Sequence, residues 1–282
     1  MDEQLIVARY GAPDSVCATA FEKWWLETER WAETLGTRPN EVNARYRVEP
    51  RGLVNGNAYK VMQYRGRIET ELHAGNIEQL GLTRLIADWR FKALDWEFGA
   101  DYGRFGTEFA MVSSGISLDA LGKLPNVSPH GFVESAVRQS NAFLDATYGF
   151  AVMLPRRFMP ACYVIGVASG EMPEEMVYES NAWMQFSARE CDRTLRNVFG
   201  YNMVNPRHLD IDVGGQRLRD WICSSSNRGR IETQADGLLL WTFQEGDDQE
   251  AFLDWDYPPV AAVREELKRH GVFPWQRLPG VE

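Results

Sequence analysis

Apolar and polar positions alternate along this chain in several different rhythms, and each change of rhythm marks an expected element. Leu5-Ile6-Val7-Ala8 is an unbroken apolar run of buried-strand length. From Val16 to Leu35 the rhythm becomes helical, with Ala20, Trp24, Trp31 and Leu35 on one stripe, Phe21 and Trp25 widening it, and Gly36 and Pro39 closing it. Three tryptophans on that stripe read as a packed core face. Short segments at Tyr59–Tyr64 and Ile68–Leu72 read as strands, and so does Glu108-Phe109-Ala110-Met111-Val112. Leu80–Trp96 fits one helix or two strands, and periodicity does not choose between them.

The second half begins after a stretch rich in turn formers, from Ser113-Ser114-Gly115 through Pro125, Pro129 and Gly131, which reads as a linker. Phe132, Ala136, Ser140, Phe143 and Thr147 then predict a helix, and Phe150–Leu154 with Ala161–Ala168 a strand pair. Pro173 suits the first turn of a long helix carrying Met176, Trp183, Met184, Ser187, Cys191 and Leu195 on one side. Leu218–Ile222 reads as a short helix. Ile231–Thr233 and Leu238–Phe243 flank Asp236-Gly237, a tight-turn dipeptide, and predict a hairpin. A last helix runs from Val260 to His270, before Gly271 and Pro274. Strands and helices are interspersed with hairpins and lack regular strand–helix alternation. The expected fold is therefore α+β, a mixed and largely antiparallel sheet (or sheets) with packed helices. Residues 1–125 form an N-terminal half and 126–282 a C-terminal half, either two units or one continuous domain.

At 282 residues, with 44% hydrophobic and 25% charged side chains, the chain can bury a sizeable core. No apolar run approaches the roughly 20 residues a membrane span requires. The acidic start Met1-Asp2-Glu3 is unlike a signal peptide, so a cytoplasmic location is expected. Cys17, Cys162, Cys191 and Cys223 are far apart and fit no zinc spacing, and are expected as reduced, buried thiols.

The net charge is −10, which disfavours direct nucleic-acid binding through a basic surface. Residues 126–282 carry 15 basic and 22 acidic side chains, and six of those acids lie between Glu245 and Asp256. That run, Glu245-Gly246-Asp247-Asp248-Gln249-Glu250-Ala251-Phe252-Leu253-Asp254-Trp255-Asp256-Tyr257, contains no Lys or Arg. It lacks the register of a calcium loop. Its plain reading is a solvated loop and an acidic helix start. Its aromatic residues suggest more, because aromatic anchors ringed by charge suit a protein interface. Glu171, Glu174, Glu175 and Glu179 form a second acidic group that would complete such a face and attract a basic partner.

Candidate chemistry elsewhere is sparse. The chain has no dinucleotide, P-loop, nucleophile-elbow or zincin motif. His208-Leu209-Asp210-Ile211-Asp212, if a strand, would turn His208, Asp210 and Asp212 to one face, as in a metal-dependent hydrolase. The same alternation also describes an ordinary half-buried strand.

One set of segments carries a resemblance: Tyr148-Gly149-Phe150-Ala151-Val152-Met153-Leu154-Pro155, Arg189-Glu190-Cys191-Asp192, Leu195-Arg196-Asn197-Val198-Phe199-Gly200-Tyr201-Asn202, Asn205-Pro206-Arg207-His208-Leu209, Gly214-Gly215-Gln216-Arg217-Leu218-Arg219-Asp220-Trp221-Ile222 and Gly237-Leu238-Leu239-Leu240-Trp241. Together they resemble the bacterial polymorphic-toxin immunity proteins, closest to the Immunity-52 type, within the wider group of type VI secretion immunity families. The resemblance implies an α+β, cytoplasmic, non-enzymatic antitoxin. Such a protein binds and neutralises a cognate toxin, here a basic nuclease effector used in interbacterial competition. It implies no cofactor, no metal and no catalytic residue. The toxin-binding positions are inferred from charge and aromatic content alone: Asp247, Asp248, Glu250, Asp254, Trp255, Asp256 and Tyr257, with Glu174 and Glu175.

Overall fold

A computed structural model describes residues 3–17, 19–48, 52–55, 59–85, 96–105, 109–169, 171–185, 187–234, 237–244 and 250–277. The first strand, β1 (Glu3–Gly11), is buried along nearly its whole length. A strand covered on both faces needs no polar alternation, which explains the unbroken apolar run at its centre. It is followed by α1 (Ala20–Thr34), β2 (Glu41–Val48), β3 (Gly52–Asn55), β4 (Tyr59–Lys60), α2 (Val61–His73), β5 (Ile77–Leu85), β6 (Trp96–Phe105) and β7 (Phe109–Ser117). Then come α3 (Leu118–Leu121), α4 (Pro129–Ser140), β8 (Ala146–Pro155), α5 (Pro160–Val164), α6 (Glu174–Gln185), β9 (Tyr201–Val204), β10 (Asp212–Val213) and β11 (Gln216–Arg217). The chain finishes with α7 (Leu218–Cys223), β12 (Arg230–Thr233), β13 (Leu239–Thr242) and α8 (Pro258–Arg269).

Among the described residues, eleven strands form one sheet in the order β12-β13-β9-β8-β1-β7-β6-β5-β2-β3, with β4 also paired to β2. Neighbouring strands pair antiparallel, as the interspersed pattern predicts. β1 sits between β7 and β8, so strands of the first and second halves share one hydrogen-bonded sheet. β10 and β11 form a separate two-stranded ribbon.

Adjacent residues of β1 show how the faces are covered. Arg9 reaches α4, donating to Ser140 Oγ at 3.1 Å. Tyr10 points the other way and donates to the Val164 carbonyl of α5 at 2.6 Å. Consecutive strand side chains face opposite ways, so α4 and α5 lie on opposite faces of the sheet. α1 joins α4, since Phe21 and Trp24 pack on Tyr102. α6 joins α5, since Trp183 packs edge-on against Tyr10. Trp24 and Trp25 are buried, and Trp31 packs between Phe98 and Phe132, so the tryptophan stripe is core.

Several sequence expectations differ from what forms. Residues 61–73 are helical, because Arg65–Glu69 and Ile68–Leu72 are i,i+4 pairs that suit a helix as well as two short strands. Ser113-Ser114-Gly115 is the buried interior of β7 and not a linker. Small residues there leave room for large neighbours: a Cβ on Gly115 would come within 2.7 Å of Trp96 Cη2. Pro160 opens the helix α5 where a strand is expected. α6 ends at Gln185, short of Leu195. α4 ends at Ser140, and Thr147 belongs to β8. The β12–β13 hairpin forms as expected. β5 and β6 pair antiparallel, which favours the two-strand reading of that region, although residues 86–95 lie outside the described residues. The cysteines are free, but Cys17 and Cys223 are exposed and Cys162 only partly buried, leaving Cys191 alone as a buried thiol. Among the described residues, no helix is long and apolar enough to cross a membrane.

Candidate functional site

The segment from Glu250 to Tyr257 forms a 3-10 turn at Ala251–Leu253 and then leads into α8. Its side chains sort by chemistry. Phe252 and Leu253 are buried in the core, while Glu250, Asp254 and Asp256 face solvent. Asp247 and Asp248 lie outside the described residues.

Trp255 is not the exposed anchor that the sequence suggests. It is 7% exposed, and the Arg264 guanidinium lies 3.8 Å from its ring centroid. Arg264 Nη2 also donates to the Trp255 carbonyl and to that of Val198, each at 3.1 Å. An aromatic ring so close in sequence to an acidic run reads as an interface anchor, but here it packs inward against Tyr163 and Phe199. Tyr257 is half-buried, and its carbonyl accepts the Ala261 N–H in the first turn of α8.

The second acidic group divides in the same way. Glu171 and Glu174 are exposed, and Glu174 accepts from Tyr178 Oη at 2.8 Å. Glu175 is half-buried and ion-paired with Lys268 of α8, which ties α6 to α8. Glu179 is fully buried and therefore contributes nothing to a charged surface.

What the structure does assemble is a groove of about 320 Å³ with Glu3, Glu250 and Asp254 on its walls. Its apolar lining comes mainly from Leu118, Leu121, Leu124, Val127 and Met153. Asp254 is carried to β8 by a parallel bridge to Met153. The Glu3 carboxyl is raised above the ordinary range, first by burial and then by the negative charge of Asp254. Among the described residues, Glu3, Glu250, Asp254 and Asp256 have no Lys or Arg ion-pair partner, the Lys and Arg side chains pairing instead with acids such as Glu29, Glu78, Glu97, Glu175, Glu179 and Asp192. An acidic rim without Lys or Arg partners among the described residues, above an apolar floor, suits a ligand that is both basic and hydrophobic.

Of the positions named from the sequence, Glu250 and Asp254 line this groove; Glu3 and the floor residues are additions from the structure. A signal for the floor was present: Leu118, Leu121, Leu124 and Val127 recur every third residue through the stretch read as a linker.

His208, Asp210 and Asp212 do not converge. His208 sits in a 3-10 turn, His208–Asp210, and not on a strand. Its ring is buried, stacks on Tyr148 with centroids 5.3 Å apart, and accepts the Asn205 N–H at Nδ1. Desolvation pushes its pKa down to about 4, so the imidazole is neutral. Asp210 and Asp212 face elsewhere: Asp210 pairs with Arg217 at 3.4 Å, and Asp212 accepts from the Gly215 N–H. Asn205-Pro206 starts a tight turn, which breaks the alternation on which the strand reading depended. Among the described residues, no group of three His, Cys, Asp or Glu side chains could hold a metal ion.

No family model matches the chain, so the Immunity-52 resemblance of residues 148–241 has no family match beside it. No curated protein matches the sequence either. Among solved structures, the Pseudomonas aeruginosa T6SS protein PA0821 superposes with a TM-score of 0.50 at 12% sequence identity, covering 96% of this chain and 73% of that one. At such identity the likeness is one of fold, and it extends over both halves of the chain.

Proposed function

We propose that this protein is a non-enzymatic immunity protein of the type VI secretion kind, which binds and neutralises a basic protein toxin in the cytoplasm. The observation that carries the reading is the groove walled by Glu3, Glu250 and Asp254 over an apolar floor. Unpaired carboxylates at a rim accelerate encounter with a basic surface, while an apolar floor holds the docked partner. The fold shared with a T6SS protein and the sequence resemblance to polymorphic-toxin immunity proteins support the same reading. A nuclease is the toxin class favoured, because a protein that grips phosphates must present Lys and Arg. An acidic inhibitor can occupy that surface without touching nucleic acid or membrane.

The test is affinity capture from the native host at low and then high salt, followed by activity assays on the captured protein. The expected result is one basic partner held in a one-to-one complex, released as salt rises, whose nuclease activity disappears when this chain is added. A stoichiometric partner that retains full toxicity in the complex, or no partner at either salt, overturns the reading.

A further inference from the structure

A second cavity, sharing no residue with the groove, opens between the sheet and α5. It measures about 150 Å³ and is lined by Asn43, Thr83, Trp96, Asp101 and Ser113 on the sheet, with Ala161 and Val164 from α5. Register explains how these residues meet. Asn43 pairs with Gly81, Gly81 with Asp101, and Asp101 with Ser113, so all four share one rung and one face across β2, β5, β6 and β7. Thr83 pairs with Gly99 and Gly99 with Gly115 on the next rung of that face.

The glycines hold this space open. A Cβ on Gly81 would collide with Asp101 Oδ1, and one on Gly115 would press on Trp96. Asp101 can therefore lie across β5, and the Trp96 ring can lie over the β6–β7 floor, only because these positions lack side chains.

Asp101 is the one charged group among the described residues lining the cavity. No described hydrogen bond or ion pair reaches its carboxyl, and burial alone raises its pKa to about 6. Asp101 is itself only partly buried, so its unpaired carboxyl stays within reach of an incoming donor, and a carboxyl with a raised pKa beside a cavity is a candidate for completion by a ligand. Hydroxyls of Thr83 and Ser113 and the Asn43 amide offer further acceptors, the Trp96 ring offers a π surface, and among the described residues no Lys, Arg or His lines the wall. Anions are disfavoured by this lining. A metal ion is disfavoured too, since it needs several converging ligands and finds one carboxylate. A carboxylate beside an aromatic ring instead suits an ammonium or guanidinium group. A cavity of about 150 Å³ is the size that admits benzene in an engineered protein core, which limits the ligand to a handful of heavy atoms.

We propose that this cavity binds a small organic cation, an ammonium or guanidinium head group, with Asp101 as its counter-ion. The group arrives either on a free small molecule or on an Arg or Lys side chain of a protein. The site is independent of the toxin-binding groove, so it stands or falls separately from the immunity reading.

The test uses the full chain labelled with ¹⁵N, titrated with methylguanidinium, with neutral N-methylurea, and with the peptide Gly-Arg-Gly. Methylguanidinium is expected to shift the Trp96 indole N–H and the Gly81, Gly99 and Gly115 amides saturably, and at least tenfold more tightly than N-methylurea. Asp101→Asn is expected to lose at least tenfold in that affinity while its spectrum elsewhere is retained. Binding of methylguanidinium alone supports a free small-molecule site, and binding of Gly-Arg-Gly as well supports a side-chain socket. Absence of saturable shifts, or equal affinity for N-methylurea, overturns the proposal on the unmodified protein whether or not Asp101→Asn folds.

Discussion

Arg196 Nε donates to Glu179 Oε1 across 2.7 Å, with neither side chain exposed to solvent at all. The pair is fully satisfied. Glu179 also accepts from Tyr163 Oη and Asn197 Nδ2, while Arg196 donates to the Tyr163 and Val164 carbonyls and packs its guanidinium 4.1 Å from the Tyr163 ring centroid. Through it, α5, α6 and the segment before β9 are locked to Tyr10 of the central strand. Removing one partner strands a buried charge, so Glu179→Ala or Arg196→Ala should each lose about 3–5 kcal/mol of stability. Urea denaturation checks this, and a cost below about 1 kcal/mol for both would show the pair to be dispensable. The double variant should cost much less than the two single losses combined, because the stranded charge is then absent.

The groove gives the second prediction. Glu3→Lys, Glu250→Lys and Asp254→Lys together should slow association with the basic partner and weaken binding by at least about 100-fold, since like charges across an interface cost several kcal/mol. Folding stability should change little, because Glu250 and Asp254 face solvent and the like-charge repulsion between positions 3 and 254 persists with its sign reversed. Binding kinetics at two salt concentrations separate steering from contact. An unchanged affinity in the triple variant would move the binding surface elsewhere on the molecule and leave the immunity function standing.

Trp255 supplies a third test that distinguishes anchor from core. A surface anchor truncated to Ala weakens binding and leaves folding alone. Buried beneath Arg264, Trp255→Ala should instead destabilise the fold by about 3–5 kcal/mol and leave the Arg264 guanidinium without its ring. Thermal denaturation together with partner affinity, measured on the fraction that remains folded, decides between them.

Much of the architecture was legible because burial writes itself into periodicity. The apolar run at Leu5–Ala8, the tryptophan stripe of α1 and the paired strands β12 and β13 each carry their own signal, and each forms. The failures share a cause. Where the sheet interior is built from Ser113, Ser114 and Gly115, small residues serve close packing, yet they are the same residue types that make linkers. The site divides along a similar line. Acidic content marked Glu250 and Asp254, but Glu3 is about 250 positions away in sequence and reaches them only because β1 pairs with β8. Trp255 and Glu179 misled because sequence shows composition near a position, not which way a side chain points. The Asp101 cavity left no local trace, since its polar residues are spread over four strands, β2, β5, β6 and β7.

The pH dependence of stability supplies the last prediction, and two groups, buried His208 and partly buried Asp101, oppose each other in it. His208 is pushed down to about 4 from an ordinary value of about 6.5. The unfolded chain therefore binds the extra proton, and stability falls as pH drops from about 6.5 to 4. Asp101 is raised to about 6 from about 3.9. Here the folded chain holds the extra proton, so stability rises as pH drops from about 6 to 4. Each shift corresponds to about 3 kcal/mol, and in the native sequence the two largely cancel across this window. Asp101→Asn removes the compensating term, so its stability should fall by about 3 kcal/mol more than the native protein's between pH 6.5 and 4. His208→Asn should show the reverse slope, gaining relative to the native protein on acidification even if lost packing lowers its stability throughout. Urea denaturation at pH 6.5, 5.5 and 4.5 reads both slopes as differences from the native protein, which cancels the contribution of every other carboxylate. Parallel curves for all three proteins would show that neither group titrates differently in the folded and unfolded chains.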